Sequence, residues 1–229
     1  MHRRRVALLA VLAALCAATW TSTAIAASAR GCGLPGYGYA GIASGAAVRG
    51  VGATVSALVR PRVQSGHVAA WVGVGGYGMG PGGRDEWLQL GIATSRQFTQ
   101  RVYVEWARPG KRPRLVVVES GIAVGEMRRL AVLELAGRSS WWRAFVDGRP
   151  VGPAVHLPGS HGRFPAVATA ESWDGGRPAC NLFAFRFSAL QLTPAGLATA
   201  AARHTVELVD PGYRVERRER ATFVARSNR

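Results

Sequence analysis

Short runs of hydrophobic and β-branched residues recur along most of the chain, and within many of them apolar and polar positions alternate. Glycine- and proline-rich segments separate these runs, and no long amphipathic helix is predicted before Thr193. Such a pattern is typical of short, mostly antiparallel strands and predicts an all-β sandwich or barrel. The clearest runs are HVAAWVGV (67–74), EWLQLGI (86–92), RVYVEWA (101–107), RLVVVES (114–120), RRLAVLELA (128–136), WWRAFVDG (141–148) and CNLFAFRFSAL (180–190).

Two turn segments can be interpreted from their residues. Asp147-Gly148 predicts a tight β-hairpin, because a primed turn requires positive φ at its central positions. GVGGYG (73–78) matches the dinucleotide-binding glycine pattern, which requires a helix directly after the glycines. Here Pro81, Gly82, Gly83 and then another strand follow. We therefore expect a flexible loop at the rim of the sheet and no nucleotide site.

The first 29 residues have the features of a secretory signal peptide. Arg3 to Arg5 are followed by an apolar stretch that reaches about Thr19, and Ala-x-Ala sequences occur at 24–26 and 27–29. We expect an exported protein with no membrane span. The predicted organisation is a signal peptide (1–29), a β-sandwich domain (30–192) and a basic, partly disordered C-terminal extension (193–229).

Charge and cysteine content add two expectations. The formal net charge is +16, and removing the three arginines of the signal peptide leaves +13. Lys111 is the only lysine, so the charge is scattered arginine, which does not predict a specific nucleic-acid site. Cys32 and Cys180 remain after signal cleavage and predict one disulfide, with two separate buried thiols as the alternative.

Polar and aromatic residues mark one face of two predicted strands. Trp87 and Gln89 lie opposite the face of Leu88 and Leu90, because strand side chains alternate between faces. In the same way Tyr103 and Glu105 lie opposite Val102 and Val104, and Trp71 comes from a third run. If these strands share a sheet, the face is a groove lined by Trp, Tyr, Gln and Glu. The alternative is an ordinary polar surface with tryptophans packed under loops.

Other chemistry finds little support in the spacing of residues. No pair among His67, His156, His161 and His204 has metalloprotease spacing, and we predict no metal or cofactor. The carboxylates show no local pattern that selects the pair required by a glycoside hydrolase.

Three motifs lie in or next to the predicted strands: WVGVGG (71–76), WLQLG (87–91) and YVEWARPG (103–110). They resemble the W-V-G-I-D-G, L-Q-x-G-V-D and Y-E-W-Y-P motifs of the glutamic peptidases (eqolisins). ATAESWDGG (168–176) is the best counterpart of the family's A-E-W-I motif. The resemblance covers roughly Tyr37 to Leu190 and suggests a divergent, bacterial-type member. It implies a concanavalin A-like β-sandwich of two antiparallel seven-stranded sheets.

The resemblance also implies roles for residues. Glu171 would be the general base and later the acid, and Gln89 would donate its amide N–H to the oxyanion. The substrate-binding residues would be Trp71, Trp87, Tyr103 and Glu105. A secreted, monomeric endopeptidase that cleaves polypeptides is therefore the favoured hypothesis.

The alternative is a non-catalytic concanavalin-like module that binds a glycan or cell-wall polymer. Gly75 and Ala93 stand where the family has aspartates. Both differences remove an acidic group near Gln89 and Glu171.

Overall fold

The computed structural model describes residues 36–173, 180–194, 205–219 and 221–228, and these residues form two antiparallel seven-stranded sheets. The predicted all-β, concanavalin A-like sandwich is thereby confirmed. Two short 3₁₀ turns lie at Pro81–Gly83 and Pro158–Ser160. The strands are β1 (Tyr37–Ser44), β2 (Val48–Ala57), β3 (His67–Gly80), β4 (Arg84–Ser95), β5 (Arg101–Ala107), β6 (Arg114–Ser120), β7 (Arg128–Glu134), β8 (Trp141–Val146), β9 (Arg149–His156), β10 (Ala166–Trp173), β11 (Ala184–Pro194), β12 (Thr205–Val209), β13 (Tyr213–Glu219) and β14 (Thr222–Ser227).

The order of strands divides the sandwich into two layers. One layer, here called the front sheet, has the order β12-β1-β10-β3-β4-β5-β6. The other, the back sheet, has the order β13-β14-β11-β2-β7-β8-β9. The predicted groove residues come from β3, β4, β5 and β10, which are consecutive neighbours near the middle of the front sheet.

The core between the sheets follows from the alternation of side chains. Leu88, Leu90 and Ile92 of β4 are fully buried and face the back sheet, as the sequence pattern predicts. Trp142 and Phe185 of the back sheet are also fully buried in this core. Burying such side chains contributes about 1.5–3 kcal/mol each. The opposite face of β4 is thereby left for Trp87 and Gln89.

The predicted hairpin is present, whereas the flexible rim loop predicted at GVGGYG (73–78) is wrong, because these residues belong to strand β3. Asp147 has φ 49° and Gly148 has φ 77°, which is the positive-φ pair of a primed turn joining β8 to β9. GVGGYG lies in the second half of β3, and only the three-residue turn at 81–83 separates it from β4. No α-helix begins after these glycines, so the dinucleotide-binding geometry is absent here.

The C-terminal segment differs from its sequence-based description. The predicted boundary at 192–193 falls inside β11, and the described residues beyond it contribute β12 to the front sheet and β13 and β14 to the back sheet. Tyr213 and Phe223 are buried in the core. The sequence YRVERRE of β13 is rich in arginine, and for that reason it was not recognised as a strand. The Pro211-Gly212 turn passes from one sheet to the other and does not close a hairpin.

Three further strands were not predicted from the sequence, again because of their composition. β1, β2 and β10 are rich in glycine and alanine, as in YGYAGIAS, VRGVGATVSA and AVATAESW, so they lack the dense β-formers of the other runs. They nevertheless lie inside the sheets, and β10 carries Glu171.

Some predictions fall on residues that the structure does not describe. The signal peptide (1–29) and Cys32 lie outside the described residues, so the disulfide between Cys32 and Cys180 stays a prediction. Within the described part of the chain, no helix is long and apolar enough to cross a membrane.

Candidate active site

Strand register determines where the groove residues lie on the front sheet. Glu171 of β10 is opposite Ala69 of β3, and Gln89 of β4 is opposite both Gly73 of β3 and Glu105 of β5. Trp71 lies between Ala69 and Gly73 on the same face of β3, because every second residue shares a face. Glu171 and Gln89 are therefore on opposite sides of the Trp71 indole.

Glycines create the space in this face. A Cβ atom at Gly91 would lie 2.6 Å from the Cβ of Trp71, and one at Gly73 would lie 2.9 Å from the Cβ of Gln89. Both separations are shorter than carbon atoms tolerate, so these positions accept only glycine if Trp71 and Gln89 keep their places. The result is a cavity of about 310 Å³ over the sheet.

The Glu171 carboxylate is held at both oxygens. It is 5% exposed, and its Oε2 accepts a hydrogen bond of 2.8 Å from Trp71 Nε1. Its Oε1 lies 3.2 Å from Nε2 of His67. Donors on both oxygens fix the carboxylate plane, which is what a positioned acid or base requires.

The Gln89 amide is held by β5. Its Nε2 donates to Glu105 Oε2 at 2.9 Å and to the Tyr103 hydroxyl at 3.3 Å. Burial raises the pKa of Glu105, and the charge of Glu171 adds to this effect, while the Gln89 hydrogen bond and His67 act in the opposite direction. The charge of Glu171 thus acts on Glu105 across one cavity.

Tyrosines surround the two carboxyl groups. Burial, with the charge of Glu171 as the second cause, raises the pKa of Tyr37 to about 12. The same two causes raise the pKa values of Tyr39, Tyr77 and Tyr103. These phenols stay protonated at physiological pH and can act as neutral hydrogen-bond donors.

The structure brings all the predicted site residues together, since Gln89, Glu171, Trp71, Trp87, Tyr103 and Glu105 all line the cavity. Sequence reasoning missed His67, Tyr37 and Tyr39, which line it as well. His67 could have been found, because it lies four residues before Trp71 and therefore on the same face of β3. The two tyrosines could not, since β1 was not recognised as a strand.

The two positions that lack the family's aspartates differ in character. Gly75 has φ +81°, and a Cβ there would be 3.1 Å from the Trp87 Cα and closer still to the Glu86 carbonyl oxygen. An aspartate at Gly75 would therefore require a different backbone. Ala93 lines the cavity and pairs with Ala69 and Arg101 on its two sides.

No cluster of metal ligands exists in the described residues: none of their His, Cys, Asp and Glu side chains form a group of three or more that could hold an ion. The cavity offers carboxyl, amide, imidazole and phenol groups. These groups are suited to moving protons and donating hydrogen bonds.

Several solved structures share this fold. Two are crystal structures of scytalido-glutamic peptidase, one with a transition state analog inhibitor (TM-score 0.56) and one with a peptide based transition state analog (TM-score 0.55). A third is SCP-B, a member of the eqolisin family of peptidases, in a complex with the tripeptide Ala-Ile-His (TM-score 0.52). Identity is 16%, 16% and 14%, and each match covers 85% of this chain and 98% of the other.

Comparison by sequence gives no further relative. No protein-family model matches this chain, and no curated protein matches it. At 14–16% identity the likeness to the peptidases shows a common fold.

Proposed function

We propose that this protein is a glutamic-type endopeptidase that hydrolyses peptide bonds with Glu171 and Gln89. The observation that carries the proposal is the Glu171 carboxylate, buried and held by Trp71 and His67, facing the same cavity as the Gln89 amide. The shared fold with eqolisin peptidases supports it. The predicted signal peptide at 1–29 supports action outside the cell.

The reaction needs one proton carrier and one oxyanion donor. The Glu171 carboxylate takes a proton from water, and the resulting hydroxide adds to the peptide carbonyl carbon. The carbonyl oxygen becomes an oxyanion, which accepts a hydrogen bond from the Gln89 amide. Glu171 then gives its proton to the amide nitrogen, the C–N bond breaks, and a carboxylic acid and an amine leave. One water is consumed, and Glu171 returns to its starting state.

The magnitudes favour these roles. A positioned general base contributes about 10²–10⁴ in rate, and one preorganised oxyanion donor contributes about 10²–10³. A glutamine amide suits the second role because it is neutral at every pH. In the resting structure its Nε2 donates to Glu105 and Tyr103, and the longer bond of 3.3 Å to Tyr103 is the one that we expect an oxyanion to replace.

Glu105 supports the assignment of roles between the two carboxyl groups. Its pKa is raised by burial and, second, by the charge of Glu171, so Glu105 keeps its proton to a higher pH than an ordinary glutamate does. Environments that separate the protonation of two neighbouring carboxyl groups distinguish acid from base. We therefore assign Glu171 to the proton transfers and Glu105 to holding Gln89.

Exposed aromatic rings at the rim favour a second candidate function. Tyr77 is 67% exposed, and Tyr37 and Trp173 are about 40% exposed. Such rings stack on sugar rings as well as on peptide side chains. A non-catalytic module that binds a glycan or cell-wall polymer would use the same cavity without cleaving its ligand.

Cleavage of an acid-denatured protein substrate between pH 2 and pH 8 tests the proposal. We expect Glu171→Gln and Gln89→Ala each to lower kcat/KM by about 10² or more. Glu86→Gln and Gln191→Ala are matched controls, since Glu86 is an equally buried carboxyl away from the cavity and Gln191 accepts a hydrogen bond from Arg129 on the back sheet. Both controls should keep wild-type activity.

The outcomes separate the candidates. A wild type that is inert at every pH, yet retains a soluble glycan in a binding assay, would favour the binding module. An active wild type that is unaffected by Glu171→Gln would show that another group carries the proton.

A further inference from the structure

Among the described residues that line the cavity, His67 is the one group that can become a cation. The charged or titratable groups among the cavity's described residues are Glu105, Glu171, His67 and four tyrosines. The chain is strongly basic, but no arginine or lysine of its described part lines the cavity. The electrostatic balance of the site therefore depends on one imidazole.

Two contacts fix the imidazole in place. Its Nε2 lies 3.2 Å from Glu171 Oε1, and its ring centroid lies 5.5 Å from that of Trp173 at 30°. The strand register explains this arrangement, since Trp173 is directly opposite His67 and Glu171 is one diagonal step away. The His67 side chain is 29% exposed, so protons can reach it from solvent.

We propose that His67 is a positioning residue for Glu171, whose protonation keeps the Glu171 carboxylate charged in acid and so extends activity to lower pH. The proposal rests on the peptidase function proposed above. Neutral His67 donates Nε2–H to Oε1 and orients the carboxylate. Protonated His67 adds a positive charge at the same contact, and an opposite charge at this distance favours the ionised carboxylate.

The other groups around His67 do not duplicate this role. On β1, Tyr37 and Tyr39 are phenols with raised pKa values, so they are neutral across the working range. On β5, Glu105 is the second carboxyl, and its charge would oppose ionisation of Glu171. After β4, Arg96 donates to the Gln64 carbonyl and keeps its charge at every pH. Among these groups His67 is the one whose protonation adds a positive charge next to Glu171.

The test compares pH profiles of kcat/KM for wild type, His67→Gln and His67→Ala. His67→Gln keeps a neutral N–H donor but cannot become charged. We expect it to stay within about twofold of wild type at pH 8 and to fall about 5–10-fold behind at pH 4, so that its acid limb moves to higher pH. His67→Ala removes the donor as well, and we expect it to lose kcat at both pH values with little change in KM.

His156→Gln is the matched control. His156 stacks on Trp141 at 5.1 Å, so this variant also loses a histidine–tryptophan contact, but on the back sheet and without a carboxylate partner. Its pH profile should coincide with that of the wild type. An active wild type whose acid limb is unchanged by His67→Gln would overturn this inference and leave the peptidase proposal intact. A wild type that is inert at every pH would overturn both.

A second measurement does not depend on turnover. Nitrogen NMR shifts of the His67 ring at pH 8 should report the Nε2–H tautomer in the wild type, because Nε2 faces Glu171. Glu171→Ala should remove this preference. A wild-type ring that is mainly the Nδ1–H tautomer would overturn the proposed contact, even if the substituted enzymes fold poorly.

Discussion

Two glutamates of the front sheet are almost fully buried, and they lie in opposite chemical environments. Glu171 is 5% exposed on the cavity face, where Trp71 and His67 provide a donor for each carboxylate oxygen. Glu86 is 0% exposed on the core face of β4. Its Oε2 accepts from the Gly159 N–H at 2.9 Å, while its Oε1 has no hydrogen-bond partner among the described residues.

The difference separates the carboxyl that we propose to be reactive from a structural one. Burial raises the pKa of Glu86, and the Gly159 N–H offsets this only in part. The folded protein therefore favours the neutral form of Glu86 more than the unfolded chain does, because an unpartnered charge in a core is costly. Glu86 connects the end of the β3–β4 hairpin to the turn at Pro158–Ser160. Glu171, in contrast, faces the cavity over the front sheet. Burial alone does not distinguish the two carboxyl groups, whereas their hydrogen-bond donors and their access to the cavity do.

The largest effect should come from removing the hydrogen bond that Trp71 donates to Glu171. Trp71→Phe keeps the ring over the cavity but removes the Nε1–H that donates to Glu171 at 2.8 Å. A hydrogen bond to a charged group is worth about 1.5–3 kcal/mol, which corresponds to about 10–10²-fold in kcat/KM. Steady-state kinetics at the optimal pH would measure this effect. Trp141→Phe on the back sheet is the control and should leave kcat/KM unchanged, so an equal loss in both variants would contradict the assigned role.

A smaller effect should follow from crowding the surroundings of the Glu86 carboxylate. In Gly159→Ala the new Cβ would lie 2.8 Å from the Gly80 Cα and against the carboxylate of Glu86. Overpacking of this kind costs about 1–3 kcal/mol. Urea denaturation would measure the loss in the free energy of unfolding, while kcat/KM of the folded fraction should be unchanged.

Gly76→Ala is a milder control for that substitution. Its new Cβ would meet only the flexible Met79 side chain, at 3.2 Å from the sulfur. Equal destabilisation by both substitutions would show that the contact with Glu86 and Gly80 is not tight.

The smallest effect concerns pH. Since the folded-state pKa of Glu86 is raised, folding retains a proton there that unfolding releases. The stability associated with neutral Glu86 is full below the unfolded pKa of about 4.3 and is lost as pH rises through the folded value. Glu86→Gln resembles the neutral form at every pH. Its free energy of unfolding should match the wild type near pH 4 and exceed it by about 1 kcal/mol at pH 8.

Urea denaturation of wild type and Glu86→Gln at several pH values would measure that difference. Glu119→Gln serves as the control, because Arg128 lowers the pKa of this partly exposed carboxyl. Its pH dependence should therefore have the opposite sign. A Glu86→Gln difference that is constant with pH would show that Glu86 ionises normally in the folded protein.

Alternation along the chain was sufficient to predict much of the site. In DEWLQLG and RVYVEWA every second residue is apolar, and a period of two places Gln89 and Glu105 on the face opposite Leu88 and Val104. The residues Asp147-Gly148 likewise predicted the tight turn between β8 and β9, because only certain residues adopt positive φ readily. These predictions depend on neighbours within a few residues, which the sequence states directly.

Tertiary structure decided the rest. The front sheet places β10 beside β3, which brings Glu171 to His67 and Trp71 across about a hundred residues of chain, and β1 adds Tyr37 and Tyr39. Such pairings arise from long-range strand order, which alternation does not encode. The charged strand β13 and the glycine-rich strand β1 form because their neighbours supply hydrogen bonds and burial that local propensity lacks. The sequence by itself determined which face each side chain occupies, and only the assembled sheets decided which faces meet.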